Sequence, residues 1–337
     1  MDVQAKRFVL VKRPIGLPNE TDFSLEETVL PNSLRENELR LHGLYYSVDP
    51  YMRGRMNDAK SYVAPFALHE PIVGSVVARV VESKSPDFRD QDLVIGQLPW
   101  ATEMVVSAEE VKKIDTNAAL ASDYMSVLGM TGLTAYFGLL KIGQPKEGDT
   151  LVISGAAGAV GCTAGQIAKI KGCRTVGIVG TEEKAKILKE RFKFDETINY
   201  KTAGDLRSEI HKACPDGVDI YFDNVGGPIS DAVLLNMNFN GRVILCGQIS
   251  LYNAKEIPQG PRLQPLLLTR SILMQGFIVG NFAAEFPDAT KVLKGWLTEG
   301  RLEASETIVA GFENLPNALI GLFSGENIGK MIVKAAA

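Results

Sequence analysis

The 337-residue chain is poor in the residue types that hold metal ions or form disulfide bonds. It has four cysteines and three histidines; no two cysteines form a C-x-x-C pair, and no H-E-x-x-H pattern occurs. Because these ligand types never cluster at ligand spacing, a tetrahedral zinc site is not expected. Scattered cysteines of this kind are usually small core residues in a reducing compartment. The sequence therefore favours a protein without a metal and without disulfide bonds.

Three further features are absent: a marked excess of one charge, a long basic run and a long apolar run. The 36 basic and 40 acidic side chains give a net charge of −4 and a pI of 5.6, which disfavours a nucleic-acid or anionic-membrane surface. No stretch approaches the roughly 18 apolar residues of a membrane span. The N-terminal segment has too few apolar residues for a signal peptide. We therefore expect a cytoplasmic protein with neither nucleic-acid nor membrane partners.

The apolar pattern changes character along the chain. Residues 1–120 hold short runs rich in valine, tyrosine and isoleucine that are broken by turn residues, which predicts a small β-barrel or sandwich. From about 150 to 280, apolar strands alternate with helical segments, which predicts βαβ units and a parallel sheet. The last stretch, 305–337, returns to short mixed elements. The chain is therefore predicted to be an α/β protein of about two domains.

A glycine-rich turn stands where the first strand of the alternating region gives way to a helix. In LVISGAAGAVGCTAG, Gly155, Gly158 and Gly161 form G-x-x-G-x-x-G, a variant of the dinucleotide-binding fingerprint. A backbone that passes close to a pyrophosphate cannot carry a Cβ, and a helix N-terminus offers N–H groups and a positive dipole to the anion. The strand–helix context favours a dinucleotide site over a merely structural turn.

The end of the second strand indicates which dinucleotide binds. NAD-selective sites usually carry an acidic residue there, whereas RTVGIVG ends in Gly180, with Lys184 one helical turn further on. A small residue leaves room for a 2′-phosphate, and the lysine offers it a compensating charge. Glu182 and Glu183 speak for NAD, although acidic residues also suit the first turn of any helix. The balance favours NADP(H) as the cofactor.

Motifs throughout the chain resemble one known family, the zinc-independent medium-chain dehydrogenase/reductases. They are the extended glycine turn, YYSVDPYMRGRM at 45–56, GMTGLTAY at 129–136, INYK at 198–201, DNVGG at 223–227, CGQISLYN at 246–253 and GENIGK at 325–330. Within this family the chain is most similar to the NADPH-dependent alkenal/one reductases, which include prostaglandin reductase (leukotriene hydroxydehydrogenase), plant double-bond reductases and curcumin reductase. The resemblance implies a GroES-like β-barrel domain over 1–120, completed by 305–337. It also implies a Rossmann domain over 121–304 with a doubly wound parallel sheet in strand order 3-2-1-4-5-6, and an active site in the cleft between the domains.

The resemblance also implies which residues hold the cofactor. Together with Gly155 of the turn, the family's cofactor positions correspond to Gly158, Ala159, Val160, Gly161, Lys184, Tyr200, Asn224, Cys246, Gly247, Gln248, Ile249, Ser250, Leu251, Tyr252, Phe277, Ile278, Val279 and Asn327. Among them, Lys184 and Tyr200 resemble the pair that holds the 2′-phosphate. One departure is visible: Thr131 stands where the family commonly has proline, in a loop that lies near the nicotinamide in relatives. The resemblance therefore leaves the fit of the substrate at that loop open.

Without a metal, hydride transfer must rely on positioning and hydrogen bonding. The zinc-dependent branch of the superfamily needs cysteine ligands in its N-terminal domain, and no cysteine precedes Cys162. Hydride addition to the β-carbon of an enone leaves negative charge on the carbonyl oxygen, so a donor aimed at that oxygen would do most of the catalysis. Tyr252 is the first candidate, either as this donor or through the ribose hydroxyl, and Tyr51 is the second, as a donor or a pocket wall. Each could instead be a packing tyrosine.

These expectations combine into one predicted function, the NADPH-dependent reduction of the C=C bond of α,β-unsaturated aldehydes and ketones. A quinone reductase and a catalytically silent NADPH-binding sensor are the alternatives. The apolar run SILMQGFIVGN is predicted to be the last strand of the sheet. Because an exposed edge of this kind invites pairing and a two-fold partner could cover it, a homodimer is expected.

Overall fold

The computed structural model describes residues 3–117, 119–256 and 258–335. The chain divides into two compact units, of which the first comprises Met1–Met125, Thr307–Glu326 and Met331–Ala337. The second comprises Ser126–Glu306 and Asn327–Lys330. None of the helices in these described ranges is both long enough and apolar enough to cross a membrane.

Strands predominate in the first third of the chain, and helices alternate with strands after it. In chain order, the strands are β1 (Val3–Leu10), β2 (Phe23–Leu30), β3 (Glu38–Ser47), β4 (Val73–Ser83), β5 (Leu93–Pro99), β6 (Glu103–Ser107), β7 (Val111–Lys113), β8 (Thr150–Ser154), β9 (Arg174–Val179), β10 (Glu196–Asn199), β11 (Val218–Asp223), β12 (Met237–Leu245), β13 (Leu273–Gly276), β14 (Glu306–Ala310) and β15 (Lys330–Lys334). The helices are α1 (Met52–Arg55), α2 (Met130–Phe137), α3 (Ala159–Ile170), α4 (Glu182–Glu190), α5 (Leu206–Ala213), α6 (Gly227–Leu234), α7 (Gln264–Thr269), α8 (Phe286–Thr298) and α9 (Leu315–Ser324).

The first unit is built mainly from antiparallel strands. Its larger sheet has the order β14-β15-β3-β4-β5-β7, with β6 also paired to β3, while β1 and β2 pair separately. The C-terminal β15 pairs antiparallel with β3, so the end of the chain is built into the sheet of the N-terminal segment. Tyr46, Trp100 and Leu319 are among the fully buried side chains of its core. Antiparallel strands thus give the mainly β-stranded body predicted for residues 1–120, and the short helix α1 interrupts it.

The second unit contains a six-stranded parallel sheet in the order β10-β9-β8-β11-β12-β13. Counted within the unit, this is the order 3-2-1-4-5-6, so the predicted doubly wound α/β fold is confirmed. Strand β8 is buried along its whole length, as expected of a central strand in such a sheet. The order reverses between β8 and β11, and sheets of this type bind ligands at the carboxyl ends of the strands around that point.

Candidate cofactor and catalytic site

The glycine turn lies at the carboxyl end of β8, where the strand order reverses. The Gly158 N–H donates to the Gly155 carbonyl oxygen at 3.0 Å, and α3 begins at the next residue, so Ala159 and Val160 form its first turn. A Cβ on Gly161 would lie 2.4 Å from the Gly155 carbonyl oxygen, so only glycine lets the helix start this close to the strand. The helix therefore presents its free N–H groups and positive dipole end at the turn.

The segment around Asn327 joins this turn from a distant part of the chain. The Gly329 N–H donates to the Ala157 carbonyl oxygen at 2.7 Å, and the Asn327 side-chain amide donates to the Gly329 carbonyl oxygen at 2.7 Å. The structure thus brings Asn327 and the glycine turn into one neighbourhood, although more than 150 residues separate them in sequence.

Cationic and aromatic side chains gather at the end of β9. A Cβ on Gly180 would lie 3.1 Å from the Tyr200 ring and 3.4 Å from Cε of Lys201. Burial lowers the pKa of Lys184, and the Lys201 ammonium lowers it further, which means that the two cations are close enough to repel each other. An anion placed beside them would relieve this repulsion. Lys201 is not predicted from the sequence as a cofactor contact. The sequence signal for it is its position directly after Tyr200, at the end of the INYK motif.

One of the two acidic residues that speak for NAD, Glu182, is engaged elsewhere. Glu182 Oε1 accepts hydrogen bonds from Asn199 Nδ2 at 2.7 Å and from Thr202 Oγ1 at 3.5 Å. The Thr181 hydroxyl meanwhile caps α4 by accepting from the Lys184 N–H at 3.3 Å. The Glu182 carboxylate is therefore tied to the loop after β10, which weakens the sequence argument for NAD.

The residues after β11 are fastened to β8 and to the loop after β12. The Asn224 N–H donates to Ser154 Oγ at 3.0 Å, and its side-chain amide donates to the Ser154 carbonyl oxygen at 2.8 Å. The Cys246 and Gly247 N–H groups donate to the Asp223 carbonyl oxygen at 2.9 and 3.0 Å. The ends of three neighbouring strands are thereby locked together.

The 246–252 loop continues this attachment. The Ile249 N–H donates to the Asn224 carbonyl oxygen at 3.3 Å. Ser250 donates twice to the Val225 carbonyl oxygen, from its N–H at 3.1 Å and from its hydroxyl at 2.6 Å. The Leu251 N–H closes a turn on the Gln248 carbonyl oxygen at 2.8 Å.

Tyr252 closes the loop back on itself. Its phenol oxygen accepts a hydrogen bond from the Gln248 N–H at 3.3 Å, which leaves the O–H able to donate elsewhere. Burial raises the pKa of the Tyr252 phenol, and the Gln248 N–H offsets part of this rise. The phenol therefore keeps its proton at physiological pH, as a hydrogen-bond donor must.

Tyr252 lines a cleft of about 710 Å³ in the second unit. The wall of the cleft beside Tyr252 is formed by Cys246, Gly247 and Gln248. A second wall is formed by Phe277 and Ile278, which follow β13. Val279 begins the short helical turn that comes next. Six of the predicted positions thus line one cleft, namely Cys246, Gly247, Gln248, Tyr252, Phe277 and Ile278, whereas Ile249, Ser250, Leu251 and Val279 do not.

Tyr51, the second catalytic candidate, belongs to the first unit, where it precedes α1. Burial raises the pKa of its phenol, and the Asp49 carboxylate raises it further, while Arg55 acts in the opposite direction. Its phenol is therefore also protonated at physiological pH.

Thr131, the departure from the family pattern, lies at the start of α2. Its side chain is buried, and its hydroxyl donates to the Ser126 carbonyl oxygen at 2.9 Å. The hydroxyl is thus used within the second unit, where it fixes the turn before the helix.

The thiols of the chain are all free. Cys162, Cys173 and Cys214 are buried, and Cys246 is partly exposed. Within residues 3–117, 119–256 and 258–335, no three His, Cys, Asp or Glu side chains form a group that could hold a metal ion.

Comparison with known proteins identifies the relatives of this chain. Residues 6–114 match a family described as the N-terminal domain of oxidoreductase, and residues 159–295 match one described as zinc-binding dehydrogenase. The NADPH-dependent curcumin reductase of Escherichia coli (strain K12) is 42% identical over 336 residues, which cover 98% of this chain and 97% of that protein. The 2-alkenal reductase (NADP(+)-dependent) of Nicotiana tabacum is 40% identical over 336 residues, 98% of each chain.

Solved structures place the chain in the same group. CurA from Vibrio vulnificus, solved in complex with NADPH, has a TM-score of 0.93 and 41% identity, covering 98% of this chain and 99% of that one. One of the matching families is described as a zinc-binding dehydrogenase. Its zinc-dependent members need cysteine ligands in the N-terminal domain, whereas the first cysteine of this chain is Cys162. The chain belongs to the zinc-independent medium-chain dehydrogenase/reductases, in their alkenal/one reductase branch.

Proposed function

We propose that this chain is an NADPH-dependent reductase that saturates the C=C bond of α,β-unsaturated aldehydes and ketones. The observation that carries the proposal is Tyr252, a neutral phenol whose O–H is available at a cleft that several predicted cofactor positions help to line. Relatives at 40–42% identity are named as a curcumin reductase and a 2-alkenal reductase, and both names specify NADP(H). The cofactor predicted from Gly180 and Lys184 agrees with those names.

The described residues fit an NADP(H) molecule. The N-terminus of α3 behind Gly158 would hold the pyrophosphate, and Lys184 with Lys201 would hold the 2′-phosphate beside Tyr200. The ribose and nicotinamide would contact Asn224, Asn327, the 246–252 loop and the segment 277–279. When bound, NADPH supplies the hydride. We assign cofactor binding to the domain 121–304 and substrate binding to the domain 1–120 completed by 305–337.

Tyr252 would stabilise the charge that develops on the substrate. As hydride reaches the β-carbon, negative charge accumulates on the carbonyl oxygen, to which the phenol donates a hydrogen bond. No hydrogen bond in the described part of the chain uses the Tyr252 O–H as donor, so this O–H need not leave a protein partner first. Tyr51 would be a second donor or a wall of the substrate pocket. Water can deliver the proton that the α-carbon requires.

An NADPH-oxidation assay over 2-alkenals, enones, quinones and saturated aldehydes tests the proposal. We expect turnover of the alkenals and enones, with the saturated carbonyl compound identified as product by mass spectrometry. Turnover of quinones alone would indicate a quinone reductase. NADPH binding without turnover of any compound would indicate a sensor.

We further propose that the chain forms a homodimer through β13. This strand is last in the order of the six-stranded sheet, and its Leu273 is 51% exposed. On the preceding helix, α7, Leu268 is 80% exposed. An exposed apolar edge favours pairing with another chain, and a two-fold axis would cover both edges at once. Sedimentation at micromolar concentration should give a dimer that Leu273→Lys dissociates; a wild-type monomer would contradict the proposal.

We also propose a cytoplasmic location. The free thiols suit a reducing compartment, and a reductase that consumes NADPH needs a pool of that cofactor. Cell fractionation should recover the protein in the cytoplasmic fraction. Recovery from the medium or from a membrane fraction would contradict this proposal.

A further inference from the structure

A fully buried carboxylate, Asp223, stands at the end of β11. Its Oδ1 accepts four hydrogen bonds of 2.8 to 3.0 Å, from Ser154 Oγ, the Tyr221 hydroxyl and the N–H groups of Val225 and Gly226. None of the described lysines or arginines pairs with it, so these neutral donors stabilise the buried charge. Through Oδ1, Asp223 therefore belongs to the framework of this sheet edge, and its second oxygen is left to hold another group.

The other oxygen, Oδ2, accepts a hydrogen bond from Gln248 Nε2 at 3.4 Å. A carboxylate can only accept, so the amide must turn its nitrogen toward Asp223. The Gln248 amide oxygen contacts Gly226. A Cβ on residue 226 would lie only 2.1 Å from this oxygen. The Gln248 side chain is thus held between Asp223 and a glycine that leaves room for it.

The backbone of Gln248 in turn holds Tyr252. Its N–H donates to the phenol oxygen at 3.3 Å, and the neighbouring bond from the Ile249 N–H is equally long. The bonds from Cys246 and Gly247 to the Asp223 carbonyl oxygen are shorter, at 2.9 and 3.0 Å. Gln248 is also held through its carbonyl oxygen, which accepts from the Leu251 N–H at 2.8 Å, and through its side chain, which donates to Asp223. The backbone N–H that meets Tyr252 therefore belongs to a residue that is fixed by its main chain and by its side chain.

We propose that Gln248 is a positioning residue: its side chain, held by Asp223, fixes the backbone N–H that orients the Tyr252 phenol toward the substrate. This inference rests on the proposed function for the role of Tyr252. Because Gln248 acts through Tyr252, removal of the Gln248 amide should lower kcat only when the Tyr252 hydroxyl is present.

A double-mutant cycle tests the inference. Gln248→Met keeps the length of the side chain and removes its amide, and it is combined with Tyr252→Phe. We expect Gln248→Met to lower kcat on an enone about 3- to 10-fold when Tyr252 is present, and by less than about 2-fold in the Tyr252→Phe background. The Kd for NADPH should stay within about 2-fold in all four proteins. Gln97→Met makes the same change at an exposed position of β5 and should leave kcat unchanged.

The outcomes separate this inference from the proposed function. An equal loss in both backgrounds, or no loss with Tyr252 present, would overturn the positioning role of Gln248. A wild-type protein that does not reduce enones would refute the proposed function instead. Orientation of Tyr252 can then be followed by ¹⁹F NMR of fluorotyrosine-labelled protein, in which the Tyr252 signal is the one missing from Tyr252→Phe. Gln248→Met should shift that signal more than any other tyrosine signal, and an unshifted signal would overturn the inference.

Discussion

Replacing Lys184 by alanine should weaken the binding of NADPH far more than the binding of NADH. The two cofactors differ by the 2′-phosphate, which carries about −1.5 to −2 charges at neutral pH. Lys184 is half-buried, and Lys201, which lies beside Gly180, is close enough to affect its pKa. Removal of one of two cations at this point should therefore act on the phosphate and leave the rest of the cofactor untouched.

The magnitude follows from the surroundings of Lys184. A hydrogen bond to a charged group contributes about 1.5–3 kcal/mol net, which corresponds to a factor of about 10 to 150 in Kd. Lys201 would keep part of the attraction after the change, and salt screens a partly exposed pair. We expect a loss of about 10- to 100-fold in the Kd for NADPH and less than about 2-fold for NADH, measured by fluorescence titration at physiological salt.

The pH dependence gives a second measurement. Burial and Lys201 lower the pKa of Lys184 in the free protein, and a bound phosphate would raise it again. Binding therefore favours the protonated lysine, and affinity for NADPH should fall as the pH rises through the lowered pKa of the free protein. It should also fall below about pH 6, where the phosphate takes up a proton. Lys184→Ala should weaken the fall on the alkaline side, and NADH should show neither change.

Lys186→Ala is the matched control. Lys186 lies on the same helix, is exposed and pairs with Glu190 at 3.9 Å, so its removal makes the same charge change away from Gly180. It should leave both Kd values within about 2-fold, as surface substitutions usually do. Equal weakening of NADPH and NADH by Lys184→Ala would refute the phosphate role, as would an equal effect of Lys186→Ala.

Three further perturbations test the chemistry. Tyr252→Phe keeps the ring, so the Kd for NADPH should stay within a few-fold. The kcat of this variant on enones should fall about 100- to 1,000-fold if the Tyr252 hydroxyl faces the developing oxyanion, and less if the hydroxyl acts through the ribose. An unchanged kcat would assign the donor role to Tyr51 or to the ribose alone. Chelator treatment should leave activity unchanged, and elemental analysis showing one tightly bound zinc per chain would contradict the metal-free mechanism. Iodoacetamide should label none of the four thiols of the native protein near neutral pH, because burial raises the pKa of Cys162 and Cys173 to about 11 and of Cys214 and Cys246 to about 12; rapid alkylation seen by peptide mass spectrometry would contradict this.

The parallel sheet and the glycine turn could be predicted because both follow from local pattern and a general rule, whereas the strand order is implied by the resemblance to the family. Apolar strands that alternate with helices imply parallel crossovers, and right-handed crossovers leave few possible sheet orders. Gly161 marks the close start of α3 because a Cβ there would meet the backbone of Gly155. Such constraints act over a few residues and are visible in the letters themselves.

The contacts that complete the site could not be predicted in the same way. Lys201 lies next to Lys184 only because β10 pairs with β9 and brings INYK to the end of the neighbouring strand. The bond between Gln248 and Asp223 likewise joins the end of β11 to the loop after β12, 25 residues further on, and its direction depends on which amide atom faces the carboxylate. Sequence spacing predicts which segments meet at the edge of a sheet, whereas the partners of individual side chains depend on the register and the rotamers of both segments.

The same carboxylate bears on a chemical problem of the proposed reaction. Enones alkylate thiolates by addition to the double bond that the enzyme reduces, yet Cys246 lines the cleft with Tyr252. Burial, and after it the Asp223 carboxylate, raises the pKa of the Cys246 thiol to about 12. At neutral pH such a thiol is therefore ionised far less often than an ordinary cysteine. Burial, with the Asp223 carboxylate as the smaller cause, therefore favours the unreactive form of the Cys246 thiol, which would protect it from alkylation if the proposed substrate occupied the cleft.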